Sequence, residues 1–294
     1  MRTTRTPGRC SGSSPVPRAV TEEGGTMPEI ERDGTRIHYD DVGSGEALLL
    51  MHGGIASAEY WRLAGYTDAL AGDFRLLMPD FRGHGRSSLF RDPSRYGIPH
   101  DVADVLAVLD AAGVEQATAC GWSWGGTVGL ALAATHPDRV RGVVAIGSSG
   151  RHGRFTDLPA GFGRFADTAA RIRAEGLAPA ASDVERLGGR AWLRETFLGA
   201  DAAAIHAWYL GQLTAPPLRR SLAQLRQPVR FIAGEDEVAV LDFPDPLLPP
   251  QAELRVLVGE NHVSTFLRLD VVVPALRQLA SSAPTTPAAD VRSG

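Results

Sequence analysis

The chain has 294 residues, of which 44% are hydrophobic and 22% are charged, a composition that excludes a wholly disordered or fibrous protein. Thirty basic and thirty-four acidic residues give a net charge of −4, so the overall charge does not favour nucleic acid or an anionic membrane as partner. All of these basic residues are arginine, which excludes Schiff-base chemistry on a lysine amine.

The two cysteines, Cys10 and Cys120, are too few for a disulfide framework, and no cysteine and histidine cluster has the spacing of a metal site. We therefore expect a reducing, cytoplasmic location. Apolar runs such as residues 48–51 and 143–146 are far shorter than the roughly 18 residues that cross a bilayer, so no membrane partner is predicted. The sequence leaves the oligomeric state open.

Both ends of the chain have the composition of disordered tails. Residues 1–26 are rich in arginine, serine, proline and glycine and lack the apolar stretch of a signal peptide, while residues 283–294 are rich in proline, threonine and alanine. An ordered pattern begins at Met27, and translation from Met1 and translation from Met27 are both compatible with the sequence.

Between the tails, short apolar runs typical of buried parallel strands alternate with helical patterns. The predicted strands are residues 36–39, 47–51, 74–78, 117–120, 140–146, 229–233 and 253–258. Helices are predicted between them, over residues 101–112 and 126–136, the second stopped by Pro137. This order predicts an α/β fold with a mostly parallel, doubly wound sheet.

The strand signal disappears between residues 150 and 221, where aromatic-rich helices are predicted. Their ranges are 162–176, 183–198 and 200–213. We interpret residues 151–221 as a helical cap inserted after the strand at 140–146, and residues 27–150 with 222–282 as the core. The cap is expected to cover the site described next as a mobile lid.

The motif Gly121-Trp122-Ser123-Trp124-Gly125 follows an apolar strand and opens a helix of small residues. This strand, turn and helix setting is what a nucleophile elbow requires, since the glycines let the turn hold the serine in a strained, exposed conformation. The pattern G-x-S-x-G alone is weak, and an incidental serine in a glycine-rich turn is the alternative.

Two further segments carry a resemblance to a known family. The run Leu48-Leu49-Leu50-Met51-His52-Gly53-Gly54 is similar to a strand followed by an oxyanion loop, and Asp80-Phe81-Arg82-Gly83-His84-Gly85-Arg86-Ser87 is similar to a D-x-R-G-x-G-x-S loop. With the elbow, these segments resemble the α/β-hydrolase family, in its branch of serine esterases, lactonases and cofactor-free haloperoxidases. The resemblance covers about residues 30–280 except the insertion.

That resemblance implies a catalytic triad of serine, acid and histidine in chain order, with Ser123 as nucleophile. His262 is the histidine that follows the last core strand, and a surface-loop histidine is the alternative reading. The acid departs from the family pattern, because the strand at 229–233 leads into Gly234-Glu235-Asp236-Glu237. Position matching favours Glu237, with Asp236 as the alternative acid. The prolines within residues 238–250 predict that the following helix is shortened or lost.

The resemblance also implies an oxyanion hole formed by the amides of Gly54 and Trp124, and it requires neither a metal nor an organic cofactor. The expected reaction is acyl transfer through an acyl-enzyme, on a small or medium apolar ester, lactone or related acyl substrate. The predicted substrate-binding residues are Gly53, Trp61, Trp122, Trp192 and Trp208. Core packing is the alternative for each aromatic residue. The alternative function is a non-hydrolytic protein of the same fold, such as a lyase, a cyclase or a ligand receptor.

Overall fold

The computed structural model describes residues 28–150, 165–213, 225–238 and 251–281. The predicted tails, both ends of the predicted cap and the proline-rich segment at 239–250 lie outside these residues. The cap boundaries and the shortened helix therefore stay predictions.

Eight strands of the described residues form one sheet, in the spatial order β1-β2-β4-β3-β5-β6-β7-β8. They are β1 (Glu29–Arg32), β2 (Thr35–Gly43), β3 (Glu46–Met51), β4 (Phe74–Pro79), β5 (Ala117–Trp122), β6 (Val140–Ile146), β7 (Val229–Gly234) and β8 (Ala252–Leu257). The first two strands run antiparallel to their neighbours, and β4, β3, β5, β6, β7 and β8 pair in parallel. The predicted doubly wound, mostly parallel sheet is thus confirmed.

Eleven helices accompany these strands in the described part of the chain. They are α1 (Glu59–Leu63), α2 (Tyr66–Leu70), α3 (Ile98–Ala111), α4 (Trp124–Thr135), α5 (Phe165–Glu175), α6 (Ala178–Arg186), α7 (Ala191–Gly199), α8 (Ala202–Gln212), α9 (Glu235–Val238), α10 (His262–Phe266) and α11 (Leu269–Ala280). The four helices α5 to α8 lie between β6 and β7 in the chain, where the sequence predicted the cap. No helix that the structure describes is long and apolar enough to span a membrane.

The sheet is buried on both faces, which explains why its central strands are continuously apolar. Successive side chains of a strand point to opposite faces, and on β3 Leu49 and Met51 pack into one core with α3 and α4. Leu48 and Leu50 pack into the other core with α1 and α11. Both cores therefore hold the carboxyl ends of β3 and β5 in place.

Two sequence predictions about individual elements were wrong. The predicted helix over residues 183–198 is two helices, because α6 ends at Arg186 and Gly188 adopts a φ of +80°. The amides of Gly188 and Gly189 donate to the carbonyls of Glu185 and Val184, which is a Schellman motif that a glycine at this position favours. The antiparallel strand β1, which pairs with β2, was also missed.

Candidate active site

Ser123 lies at a sharp turn between β5 and α4, with φ 53° and ψ −113°. A non-glycine residue in this conformation costs about 1–3 kcal/mol, so the surrounding structure must impose it. A Cβ on Gly121 would clash with the main chain of Gly125, and a Cβ on Gly125 would clash with the carbonyl of Met51. Both glycines are therefore required for the turn to close against the end of β3.

The main chain of Ser123 forms hydrogen bonds with neighbouring residues, whereas its hydroxyl does not. Its amide donates to the carbonyl of Ile146 at 2.7 Å, and its carbonyl accepts from the amide of Thr127 at 3.2 Å. Within the described residues the hydroxyl makes no hydrogen bond, to His262 or to any other group. The side chain is half-buried at the carboxyl end of β5, in the middle of the sheet.

His262 and Glu237 form a close pair, with 2.5 Å between Nδ1 of the histidine and Oε1 of the carboxylate. Glu237 is fully buried, and its second oxygen accepts from the amide of Gly234 at 2.8 Å. Asp236, the alternative acid of the sequence analysis, is exposed. The structure therefore brings Glu237 rather than Asp236 to the histidine.

Gly147 lies directly beneath this pair. Its φ is +56°, and a Cβ there would lie 2.8 Å from Oε1 of Glu237 and 2.9 Å from Nδ1 of His262. The residue before it, Ile146, accepts the hydrogen bond of the Ser123 amide. Ser123 and the pair of Glu237 and His262 thus adjoin the same two residues at the end of β6.

The position of His262 is fixed by its helix and by a neighbouring tryptophan. The Asn261 side chain caps α10 by accepting from the amides of Val263 and Ser264. The indole N–H of Trp122 donates to the carbonyl of His262 at 3.0 Å, and the two rings are 5.5 Å apart. The residue before Ser123 therefore fixes the loop that carries His262.

The predicted oxyanion loop follows β3 and lies beside Ser123. A Cβ on Gly53 would be 3.3 Å from Cβ of Ser123 and 3.0 Å from the ring of Trp122, so a larger residue would crowd both side chains. His52 fixes the loop from below, because its Nδ1 donates to the carbonyl of Gly53 at 2.7 Å and its Nε2 accepts from the amide of Phe81 at 3.0 Å. Burial lowers the pKa of His52, in keeping with this neutral tautomer.

Trp124, whose amide is the second predicted oxyanion donor, is anchored by a residue that sequence reasoning missed. Its indole N–H donates to Oδ2 of Asp101 at 2.8 Å. Asp101 is 0% exposed, and burial raises its pKa to about 8. A signal was present, since Asp101 lies three and four residues before Asp104 and Val105 on the buried face of α3.

The loop after β4 braces the site through Asp80. Its carboxylate accepts from the amides of Ala58 at 2.7 Å and Arg86 at 2.9 Å, and it pairs with Nδ1 of His38 at 3.0 Å. These contacts join β2, the segment after the oxyanion loop and the loop after β4. The D-x-R-G-x-G-x-S segment therefore holds these three segments together beside the site.

The four predicted substrate-binding tryptophans occupy different positions. Trp122 is 3% exposed and stacks on Phe266 at 4.6 Å. Trp208 covers Gly54, with a ring carbon 3.0 Å from where a Cβ would be, and Trp192 packs edge-on against Tyr60 at 5.4 Å. The assignment of Trp61 is corrected: it is 0% exposed and packs in the core below, against Tyr66 and Phe266, so it presents no surface to a substrate.

In the part of the chain that the structure describes, no group of three or more histidine, cysteine, aspartate and glutamate side chains has the geometry of a metal site. The site thus consists of Ser123 at a strained turn, a buried acid and histidine pair, and a glycine loop beside them. This is the arrangement of an α/β-hydrolase fold.

Comparison with known proteins agrees with this class. Residues 46–199 match the family described as alpha/beta hydrolase fold, and the chain belongs to that family. A pimeloyl-[acyl-carrier protein] methyl ester esterase of Xanthomonas campestris pv. campestris is 30% identical, over 84% of this chain and 100% of the relative. Two solved structures have TM-scores of 0.72: the enol-lactonase of Burkholderia xenovorans LB400 is 25% identical and an esterase of Rhodococcus sp. ECU1013 is 26% identical. Each covers 87% of this chain, with 100% and 98% of its own length aligned.

Other relatives match a shorter region. A 2-hydroxymuconate semialdehyde hydrolase of Pseudomonas sp. strain CF600 is 39% identical over 130 residues, which are 42% of this chain and 45% of the relative. The chain thus spans less than half the length of this relative. The relatives and solved structures given above are named as a hydrolase, esterases and a lactonase, and these names describe those proteins.

Proposed function

We propose that this protein is a serine hydrolase that acts by a triad of Ser123, His262 and Glu237. The observation that carries the proposal is the 2.5 Å contact between His262 and a fully buried Glu237, next to Gly147 and to Ile146, whose carbonyl accepts from the amide of Ser123. A buried carboxylate on Nδ1 selects the tautomer whose Nε2 accepts a proton. The half-buried hydroxyl at the strained turn is the group that supplies this proton.

In the proposed reaction, Nε2 of His262 removes the proton of the Ser123 hydroxyl as its oxygen attacks the acyl carbon. The tetrahedral oxyanion accepts hydrogen bonds from the amides of Gly54 and Trp124, each contributing about 3 kcal/mol to transition-state stabilisation. The protonated histidine then gives its proton to the leaving group, and an acyl-enzyme forms. Water, activated by the same histidine, releases the acid and restores the serine. No step requires a cofactor.

The proposed substrates are small or medium apolar esters, lactones or related acyl compounds. Trp208 and Trp192 supply apolar walls, and Gly53 allows the acyl carbon to approach Ser123 closely. A serine nucleophile forms an acyl ester, whereas hydrolysis of an epoxide through a covalent intermediate uses a carboxylate nucleophile. We therefore favour an ester or lactone over an epoxide, although epoxide hydrolases are also among the relatives.

The test is labelling by a fluorophosphonate probe together with a screen of short aryl esters, lactones and thioesters. We expect the wild type to be labelled and active, and Ser123→Ala to lose both properties. Ser182→Ala, which removes an exposed hydroxyl of α6, serves as the matched control and should keep both. Absence of labelling in the wild type, with equal ester turnover by Ser123→Ala, would show that the protein is not a serine hydrolase.

A further inference from the structure

Asn261, the residue before His262, forms hydrogen bonds in two directions. Its side-chain oxygen accepts from the amides of Val263 at 3.0 Å and Ser264 at 3.1 Å, which caps α10. Its side-chain nitrogen Nδ2 donates to the carbonyl of Leu187 at 3.1 Å. Leu187 lies directly after α6, within the predicted cap. One side chain therefore joins the histidine loop, which is the connection between β8 and α10, to the cap.

The orientation of the Asn261 amide group follows from its partners. The amides of Val263 and Ser264 can only donate, so the side-chain oxygen faces them. The Leu187 carbonyl can only accept, so the side-chain nitrogen faces it. The main-chain amide of Asn261 also donates to Oγ of Ser264 at 2.9 Å, which completes a capping box. Turning the amide group over would break all three side-chain hydrogen bonds, so both contacts are specific to asparagine.

The partner of Asn261 in the cap is the end of a helix. Leu187 is the residue that follows the last turn of α6, and its own amide donates back to the carbonyl of Asp183 at 3.1 Å. The last carbonyls of a helix have no partner within the helix, and the negative end of the helix dipole lies there. A side-chain donor at this place is therefore favourable. Asn261 supplies that donor from the core and holds the main chain of the turn between α6 and α7.

A second contact joins the same two helices to the core beside the predicted oxyanion loop. The Thr196 hydroxyl of α7 donates to the Tyr60 hydroxyl at 2.7 Å. Tyr60 is 1% exposed, and its hydroxyl donates to the carbonyl of Ile55, the residue after Gly54, at 3.3 Å. The ring of Trp192, also on α7, meets the Tyr60 ring edge-on at 5.4 Å. The helices α6 and α7 are thus attached both at the histidine loop and at the oxyanion loop.

The two contacts of the Asn261 side chain act on different parts of the site. The oxygen fixes the start of α10, where His262 is the first residue. The nitrogen fixes the turn that leads into α7, which carries Trp192, a predicted wall of the pocket. Glu237 holds Nδ1 of His262 without help from the cap. Loss of the Leu187 contact should therefore change substrate binding more than proton transfer, and loss of the α10 contact should change proton transfer.

We propose that Asn261 is a positioning residue that couples His262 to the cap. Its oxygen holds the histidine at the start of α10, and its nitrogen holds the turn after α6 against the same loop. The apolar wall on α7 and the proposed base then keep a fixed relative position. This inference rests on the proposed function, because it concerns how His262 is held for that reaction. Asn261 acts through His262 and Leu187 and needs no contact with the substrate.

The test uses substitutions that separate the two contacts. Asn261→Ser keeps an N-cap acceptor but is too short to reach Leu187, whereas Asn261→Ala removes both contacts. On an aryl ester, Asn261→Ser should raise KM by about three- to tenfold with kcat nearly unchanged. Asn261→Ala should raise KM similarly and also lower kcat by about fivefold or more, because the start of α10 frays. Asp201→Ser is the matched control: it keeps the N-cap of α8 and removes an exposed bond from the cap to Arg91, so both parameters should stay near wild type.

Amide hydrogen exchange measures the coupling without turnover. Asn261→Ser should speed exchange in α6 and α7 severalfold and leave α10 unchanged, whereas Asn261→Ala should speed exchange in all three helices. This result supports the coupling even if the hydrolytic proposal fails. Exchange in α6 and α7 equal to that of the wild type in Asn261→Ser overturns the coupling while leaving the proposed hydrolysis intact. Wild-type kcat in Asn261→Ala overturns the positioning of His262. Thermal unfolding confirms that each variant is folded at the temperature of the measurement.

Discussion

The two sides of Ser123 differ in how completely their polar groups are paired. On the histidine side, both oxygens of Glu237 accept hydrogen bonds and Trp122 holds the His262 carbonyl. On the oxyanion side, the rings of Trp208 and His84 meet edge-on, and Nε1 of Trp208 and Nε2 of His84 have no hydrogen-bond partner within the described residues. Paired groups keep a fixed geometry, which proton transfer requires, whereas buried unpaired groups lower stability. The proposed acid and base are therefore held by more hydrogen bonds than the rings beside the predicted oxyanion loop.

The largest effect is expected from a change at Glu237, the proposed acid on the histidine side. Glu237→Gln removes the charge that stabilises the imidazolium and allows the wrong tautomer, so kcat should fall by roughly 10³- to 10⁴-fold. Steady-state kinetics on an aryl ester measure this. Asp236→Asn is the matched control and should retain activity, because Asp236 is exposed. The opposite result, with Asp236→Asn inactive, would transfer the acid role to Asp236.

The second prediction concerns the packing of Gly147 against Glu237 and His262. It tests whether this packing affects kcat when the charges of the two residues are unchanged. Gly147→Ala places a Cβ 2.8 Å from Glu237 and 2.9 Å from His262, so the pair must shift and kcat should fall by about 10- to 100-fold. Gly113→Ala is the control, because Gly113 has a similar φ of +66° and no atom near its Cβ position. Both variants should unfold at lower temperature. Equal kcat in the two would show that crowding at the pair has no effect.

A smaller effect is expected at the tryptophan that fixes the histidine loop. Trp122→Phe keeps ring stacking on Phe266 but removes the donor to the His262 carbonyl, and kcat should fall about five- to tenfold with little change in KM. Trp61→Phe removes an indole N–H that has no partner among the described residues and should leave kcat nearly unchanged. A change in KM alone for Trp122→Phe would assign Trp122 to substrate binding instead.

The last prediction concerns stability rather than rate, on the oxyanion side. The pKa of Asp101 is about 8 in the folded protein, whereas an unfolded chain titrates near 3.8. Between these values the folded state binds more protons, so its free energy of unfolding falls as pH rises. Asp101→Asn still accepts from Trp124 but does not titrate, so its stability relative to wild type should increase from pH 5 to pH 8. Denaturant unfolding measures this, and a constant difference across the range would show that Asp101 stays ionised.

Much of the fold could be predicted from the sequence because buried parallel strands leave continuous apolar runs. The elbow was equally readable, since the clashes at Gly121 and Gly125 permit no other residue and so leave a short motif. Hairpin strand β1 was missed because its exposed and half-buried residues carry no apolar run. The break between α6 and α7 depends on Gly188 at φ +80°, a local helix-ending glycine that the apolar periodicity of the segment does not show.

The site was only partly predictable, because some of its residues act through distant contacts. Comparison with the position of the acid in the family pattern predicted Glu237, and the structure places Glu237 against His262. Gly147 was missed because its partner His262 is 115 positions away and nothing local marks the contact. Asp101 was missed, although it lies on the buried face of α3, because its partner Trp124 is 23 positions away. Trp61 was assigned to the pocket because a large aromatic residue looks the same in a core and in a binding site.

The turn around Ser123 is packed closely against the main chain, and this packing limits which positions can be varied in laboratory evolution of this protein. Gly121 and Gly125 contact main-chain atoms, which no neighbouring substitution can move aside. Libraries directed at these positions would therefore yield mostly misfolded variants. Productive diversity is expected instead on α8, where ring contacts can be exchanged while the serine stays in place. New substrate ranges should be selectable there without rebuilding the reaction centre.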